Sequence, residues 1–247
     1  MDAEVLGTRV EPGSDTFRRN RERNLELMAQ VREQLAAAQA GGGPEKLARH
    51  RGRDKLTIRE RIALLTDPDS PFLELQPLIG WGSDFHVGGS VVQGIGVVAG
   101  VECLISGADP TVKGGASNPF SVTKALRGLE IARENRLPVI NLTESAGADL
   151  TTQKDIFVRG GATFRGLTGL SKAGIPTISL VFGSSTAGGA YVPGMSDYTV
   201  MIEGRSKVFL GGPPLVKMAT GEESTDEQLG VHSFPTRRSS DHRKSVV

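Results

Sequence analysis

Cysteine is nearly absent from this sequence: Cys103 is the only one in 247 residues. One thiol cannot close an intrachain disulfide or build a cysteine-based metal cage. Histidine is scarce too, at four: His50, His86, His232 and His242. None is followed by a second histidine or a carboxylate at metal-ligand spacing. Each reads as a surface or capping residue, and no metal is expected. There is no excess charge of either sign, with 29 Lys+Arg against 28 Asp+Glu and a formal charge of +1. That excludes recognition of nucleic acid by bulk charge. No apolar run approaches the ~18 residues that span a bilayer, so no integral membrane protein is expected. Met1-Asp2-Ala3-Glu4 lacks the basic-then-apolar start of a secretory leader. The expectation is a cytoplasmic chain whose 38% hydrophobic content suffices for a core.

What the chain has in plenty is glycine, 32 residues, about twice the ~7% average. With 13 prolines and no repeat period, this is neither collagen nor linker. It implies many tight turns and close backbone approaches. Residues 1–15 show no pattern and read as a disordered lead. From Asp15 to Ala40 the period is helical, with Leu27, Met28, Val31, Leu35 and Ala38 on one face. Gly41-Gly42-Gly43-Pro44 stops that helix, and Thr57-x-x-Glu60 is the capping box of a second one, striped by Ile58, Ile62 and Leu65. Asp67-Pro68-Asp69-Ser70-Pro71 ends it. Residues 16–80 thus form a helical N-terminal extension, and 81–230 a domain of different texture.

In that domain Ser90–Val98 and Val101–Ser106 are β-branched runs joined at Ala99-Gly100, a hairpin by turn chemistry. A unit then recurs: an apolar strand, a loop of very small residues, a helix. Leu104–Ser106 leads through Lys113-Gly114-Gly115-Ala116 to a helix near Ser121–Asn135. Pro138–Thr143 leads through Ser145-Ala146-Gly147-Ala148 to a helix near Gly161–Ala173. Pro176–Phe182 leads through Gly183–Gly189 to another helix start, with Tyr198–Ile202 and Lys207–Leu210 as further short strands. Alternating strands and helices imply parallel pairing, an α/β sheet, and ligands at the carboxyl ends of the strands, where these loops fall.

Several motifs carry less than they seem to. Gly94-Ile95-Gly96-Val97-Val98-Ala99-Gly100 resembles a dinucleotide fingerprint, but a strand follows it where a helix is needed, so it reads as a glycine-punctuated hairpin. Ser145 and Ser185 follow strands, as a nucleophile would, yet neither sits in Gly-x-Ser-x-Gly. Arg18, Arg19, Arg21 and Arg23 alternate with Glu22 and Glu26, a solvated helix face. The small-residue loops are different. Glycine and alanine expose backbone N–H groups, and two that converge near a helix N-terminus make an oxyanion hole. The residues by themselves point to a site that stabilises an enolate or a similar oxyanion.

A set of motifs now becomes recognisable. Arg53-Asp54-Lys55-Leu56-Thr57-Ile58-Arg59-Glu60-Arg61-Ile62 precedes Asp67-Pro68-x-Ser70-Pro71-Phe72-Leu73-Glu74-Leu75. Then come Thr111-Val112-Lys113-Gly114-Gly115, Glu144-Ser145-Ala146-Gly147-Ala148 and Ser185-Thr186-Ala187-Gly188-Gly189-Ala190-Tyr191-Val192-Pro193, and last Phe209–Glu223. In order and spacing, over about residues 20–230, these resemble the carboxyltransferase (β) subunit of biotin-dependent acyl-CoA carboxylases. The methylcrotonyl-CoA branch is favoured, with propionyl- and acetyl-CoA relatives behind it. The resemblance implies a crotonase-like (ClpP/crotonase type) β-β-α spiral. It also implies transfer of a carboxyl group from carboxybiotin, carried on a biotin carboxylase/biotin carrier alpha subunit, to a carbon activated by a CoA thioester. With biotin supplying the base, the protein needs an oxyanion hole more than a catalytic side chain. Carried over residue by residue, that hole is the N–H groups of Ala146 and Gly147. Ala146 departs from the family's Gly-Gly and would be strained if its position needs a positive φ. Lys113, Gly114, Gly115 and Ala116, with Ser145, Ala148, Ser185, Thr186, Ala187, Gly188 and Gly189, line the CoA and acyl channel. Lys217, Thr220 and Gly221 close the site. Lys113 and Lys217 meet CoA phosphates or are simply solvated. Relatives form hexamers, so a homo-oligomer is expected, and the single cysteine rules out the zinc ribbon of some bacterial relatives.

The chain matches only the first of the family's two halves. Residues 231–247 read as non-native: His232–Asp241 resembles one translated frame of a common short-read sequencing adapter. Residues 232–247 hold four of the Lys and Arg and one of the acids, so the rest of the chain carries a formal charge of −2. Other readings are the carboxyltransferase subunit of an acyl-CoA decarboxylase, or a truncated, non-catalytic acyl-CoA-binding module. A crotonase-type hydratase would want paired glutamates on the small-residue loops, where Glu144 is the one obvious candidate.

Overall fold

The computed structural model describes residues 7–229. The suspect tail, with His232 and His242, lies outside the described residues. Three helices open the chain, α1 (Asp15–Gln39), α2 (Pro44–Arg51) and α3 (Ile58–Leu65). Strands and helices then alternate: β1 (Leu73–Glu74), β2 (Val91–Val98), β3 (Val101–Ala108), α4 (Pro119–Asn135), β4 (Val139–Ser145), α5 (Gln153–Lys172), β5 (Thr177–Thr186), α6 (Gly188–Met195), β6 (Tyr198–Met201), β7 (Lys207–Phe209), α7 (Pro213–Thr220) and α8 (Asp226–Leu229).

Ser14 caps α1 by accepting the Phe17 N–H. Of the expected apolar face only Ala38 is buried, whereas Leu27 and Met28 stand in solvent, because only the last turns of this long helix reach the body. The chain then reverses at Gly41–Gly43. Gly42 donates its N–H to Thr111 Oγ1 at 2.9 Å, and a Cβ there would stand 1.9 Å from the Thr111 carbonyl oxygen, so no other residue fits without displacing that loop. Pro44 at the first position starts α2, a helix that the glycine-proline stop signal conceals. The capping box at Thr57 is present as expected, Thr57 and Glu60 each closing the other's backbone N–H. Thr57→Ala is expected to cost about 1 kcal/mol in denaturant unfolding.

The hairpin is also as expected: Val98 faces Val101, and Ala99 (φ 51°) and Gly100 (φ 76°) take the left-handed pair that a type I′ turn needs. The Asp67 carboxylate accepts both turn N–H groups at 2.7 Å. The sheet runs β1-β2-β3-β4-β5-β6, with β7 pairing the far end of β5. Its β1-β2-β3 edge is antiparallel and the remainder parallel. On one face Leu104, Val139 and Ile175 pack with Leu129 and Ala132 of α4 and Leu167 and Leu170 of α5. On the other, Ile58 and Ile62 of α3 pack on Val92, Ile105, Ile140 and Leu142. The helical extension therefore covers one face of the sheet and lends it the edge strand β1.

Two boundaries differ most from expectation. Helix α5 begins at Gln153 rather than Gly161, its first half exposed except for Ile156, so no core stripe marks it. Strand β5 runs on through Gly183–Thr186, where small residues read as a loop, because Ser185 pairs with both Ser145 and Val208.

Candidate active site

The carboxyl ends of β3, β4 and β5 bring the three small-residue segments together. Residues 114–118 lie alongside 146–149 as an irregular parallel ladder: Ala146 N–H donates to Gly114 O, Ser117 N–H to Gly147 O and Asp149 N–H to Ser117 O. A Cβ on Gly114 would meet the Ala146 Cβ at 3.3 Å, and one on Gly147 (φ 91°) the Thr186 carbonyl oxygen at 3.2 Å. A Cβ on Gly189 would stand 3.7 Å from that of Ser145. Lys113–Ala116, Ser145–Ala148 and Ser185–Gly189 thus share one location, as the sequence predicts.

The backbone donors are in a state that the sequence does not reveal. Ala146 has no positive φ, so alanine sits there without strain. Its N–H is held by Gly114 O at 3.0 Å, and the Gly147 N–H by Ser145 Oγ at 3.1 Å, whose own hydroxyl donates to Gly115 O. The Ser145 and Ser185 hydroxyls both donate to backbone carbonyls, those of Gly115 and Gly189. Pro193 in α6 lacks the N–H that the Gly189 carbonyl would accept, and the fully buried Ser185 hydroxyl donates to that carbonyl at 2.9 Å. Ser185→Ala leaves the carbonyl unpaired and is expected to lower stability by about 1–3 kcal/mol in thermal melts.

Glu144 does not reach this site. It points to the α3 face, buried, with Lys55 Nζ at 2.5 Å and Arg61 Nη2 at 2.6 Å. Burial pushes its pKa up, but the two cations outweigh this and hold it below the usual carboxylate range. Arg61, equally buried, stacks over the Phe182 ring at 4.4 Å. Neither cation stood out in the sequence, since they lie 89 and 83 residues from their partner. Lys124 carries no sequence signal either. It is fully buried on α4, with Nζ donating to Val91 O at 2.8 Å, and burial brings its pKa down to about 8. It anchors the segment whose Ser90 hydroxyl holds the Ala116 carbonyl.

Lys113 lies at the rim, mostly exposed, paired with Asp149 at 2.9 Å. Two hydrogen bonds from Thr151 and the Lys113 ammonium hold the Asp149 carboxyl below its ordinary range. Lys217, Thr220 and Gly221 are not gathered with the loops. They sit on the exposed α7, where Lys217 pairs with Glu223 and Gly221 (φ 76°) caps the helix. The Ala187 N–H donates to Phe209 O of β7, the strand before α7, at 3.0 Å. His50 and His86 each bond a backbone carbonyl, that of Leu56 and of Gly41, and serve the fold. No cluster able to hold a metal occurs among the described residues.

Known proteins share this architecture. The chain is 68% identical over 201 residues to a probable biotin-dependent acyl-coenzyme A carboxylase beta2 subunit of Mycobacterium tuberculosis, covering 81% of this chain and 38% of that protein. It is 45% identical over 235 residues to a probable mitochondrial methylcrotonoyl-CoA carboxylase beta chain of Drosophila melanogaster, covering 93% of this chain and 41% of that one. The crystal structure of the Pseudomonas aeruginosa geranyl-CoA carboxylase beta subunit superposes with a TM-score of 0.82 at 43% identity, over 92% of this chain and 42% of that one. These neighbours carry the crotonase-like fold that the sequence motifs imply. The chain spans about two fifths of the length of the curated relatives it matches. The carboxyl transferase domain matches residues 49–237, starting inside α2 and taking in β1 to β7 with all three small-residue loops. By that match, and by the fold it shares with these neighbours, the chain belongs to the carboxyl transferase domain family.

Proposed function

We propose that this chain forms the acyl-CoA half of a carboxyltransferase in a biotin-dependent acyl-CoA carboxylase, with methylcrotonyl-CoA favoured over propionyl- and acetyl-CoA. The observation that carries the reading is the convergence of three loops without bulky side chains at the strand ends, each near a helix start. Small residues let a flat thioester lie against the backbone, and peptide N–H groups can then hold its oxygen. In this reading the thioester oxygen takes the N–H groups of Gly147, freed when the Ser145 hydroxyl rotates, and of Ala146, freed when the Lys113–Ala116 turn lifts. As a proton leaves the activated carbon, the growing enolate charge falls on that oxygen, where the N–H groups hold it. The carbon would then bond to the incoming carboxyl carbon as that carbon's bond to the biotin ring nitrogen breaks, and the nitrogen so released would take up the proton.

Carboxybiotin, held by a partner, supplies the carboxyl group and the base. The donor set fits that division of labour: the one carboxylate at the end of β4, Glu144, is locked by two cations on the opposite face and cannot take the proton. Residues 16–80 act as the covering extension and 81–230 as the acyl-CoA-binding domain. Exposed Phe157 and Val158 on α5, with Leu210 before α7 and Met218 on it, support assembly with the biotin-bearing subunit and with further copies. The single buried thiol of Cys103 suits a reducing, cytoplasmic compartment.

Calorimetric titration with methylcrotonyl-CoA, propionyl-CoA and free CoA tests the reading. Saturable binding, tighter for the thioesters than for CoA alone, is expected. No thioester binding by the folded chain would overturn it.

A further inference from the structure

Lys124 is a fully buried cation that the proposed chemistry leaves unused. The acid whose charge acts on it, Glu74 of β1, is already held by Arg59 of α3 through hydrogen bonds of 2.7 and 3.0 Å. The Lys124 ammonium donates instead to two backbone carbonyls, Val91 O at 2.8 Å and Gly88 O at 3.3 Å. Arg59, Glu74, His86 and Asp109 line a cavity of about 10 Å³ beside Gly88 and Val91. That is the lower limit for a single water, so solvent offers the ammonium little in place of the two carbonyls.

Lys124 therefore grips both ends of the segment Gly88–Val91. Between them Ser90, 1% exposed, donates its hydroxyl to Ala116 O at 2.6 Å, and its carbonyl accepts the Asp109 N–H at 2.8 Å. Three successive carbonyls of the Lys113–Ala116 turn are thus held. Gly114 O accepts the Ala146 N–H, Gly115 O the Ser145 hydroxyl and Ala116 O the Ser90 hydroxyl. The first two bonds join the loops of the candidate site to each other, whereas the third ties the turn to α4 through Lys124.

We propose that Lys124 is a positioning residue: its grip on Gly88–Val91, passed on by Ser90, sets how readily the Lys113–Ala116 turn lifts and releases the Ala146 N–H. The consequence for binding rests on the acyl-CoA reading above, while the grip itself is a property of the free chain. A charged donor makes roughly twice the hydrogen bond that a neutral one makes. Burial, with a smaller push from Arg59 and against the pull of Glu74, brings the Lys124 pKa down to about 8. Below that pH the ammonium is charged and the turn is held. Above it the amine is neutral, the hold weakens, and the Ala146 N–H is released more often.

The test is amide hydrogen exchange of the unliganded full chain at about one pH unit either side of that value, with calorimetry against methylcrotonyl-CoA at both. Protection of the Ala146 amide, relative to that of Leu104 in the core, is expected to fall about fivefold at the higher pH, and thioester affinity to rise by a similar factor. Ser90→Ala cuts the relay and leaves Lys124 in place. In it the relative protection of Ala146 should already be low at the lower pH and should no longer change with pH. Lys124→Met, which keeps the length without the charge, should show the same flat profile. A merely structural lysine would lower the melting temperature of both variants with Ala146 and Leu104 losing protection together, and that result would overturn the assignment. So would a pH step that survives in Ser90→Ala. If protection behaves as expected yet the parent binds no thioester at either pH, the positioning role stands and the acyl-CoA reading fails.

Discussion

Glu144→Ala is expected to lower stability by about 3–5 kcal/mol, a large share of the roughly 5–15 kcal/mol that holds a typical domain folded. The carboxylate is the shared partner of Arg61 and Lys55, and its loss leaves a guanidinium buried to 95% with no counter-charge. Arg61 Nη1 already has no hydrogen-bond partner among the described residues, so nothing stands ready to compensate. Lys55 is partly exposed and can turn to solvent, so Lys55→Ala should cost far less than Arg61→Ala. Replacing the buried pair together, Arg61→Met with Glu144→Leu, should recover most of the loss. The pH dependence has a defined sign. The folded-state pKa of Glu144 lies below its unfolded value, as does that of Glu60, which the Thr57 N–H and then Arg51 and the Thr57 hydroxyl bring to about 2. Their stabilisation is complete above the unfolded value of about 4.3 and is lost as pH falls through the folded values. Glu144→Gln should therefore melt lower at pH 7 yet show a shallower fall in stability below pH 4, read from melting temperature against pH.

Gly147→Val should have the second large effect, this time on binding. The residue takes φ 91°, which a β-branched side chain does not tolerate, and any Cβ would lie 3.2 Å from the Thr186 carbonyl. The Ser145–Ala148 loop must move away from β5, turning both candidate donors out of place. Affinity for acyl-CoA should fall by at least about tenfold, or 1.4 kcal/mol. The core clusters do not include this loop, so the native fold should survive with a modest loss of stability. Gly147→Ala keeps the strained φ with less bulk and should fall between the two, in the same titration.

Much of this architecture is legible in local sequence chemistry. The capping box at Thr57, the hairpin at Ala99-Gly100 and the strand-loop-helix repeat each depend on residues within a few positions of one another, and all three are present. Local chemistry and structure part where distant partners decide. Ser184–Thr186 reads as loop because its residues are small, yet it is strand because β7 pairs with it. Glu144 reads as a candidate acid on an active loop, but strand alternation turns it to the α3 face, where two cations far along the chain hold it. The Ala146 and Gly147 N–H groups are proposed as donors from their position after β4. That both are occupied by Gly114 and Ser145 follows from the ladder between 114–118 and 146–149, which no spacing rule encodes.

Backbone amide NMR of the ¹⁵N-labelled chain tests the central claim most directly. Titration with methylcrotonyl-CoA should shift the Ala146 and Gly147 amide resonances saturably, as each N–H exchanges its internal acceptor for the thioester oxygen, while free CoA leaves them in place. Saturable binding that leaves both amides unmoved, with shifts confined to other segments, would contradict the account.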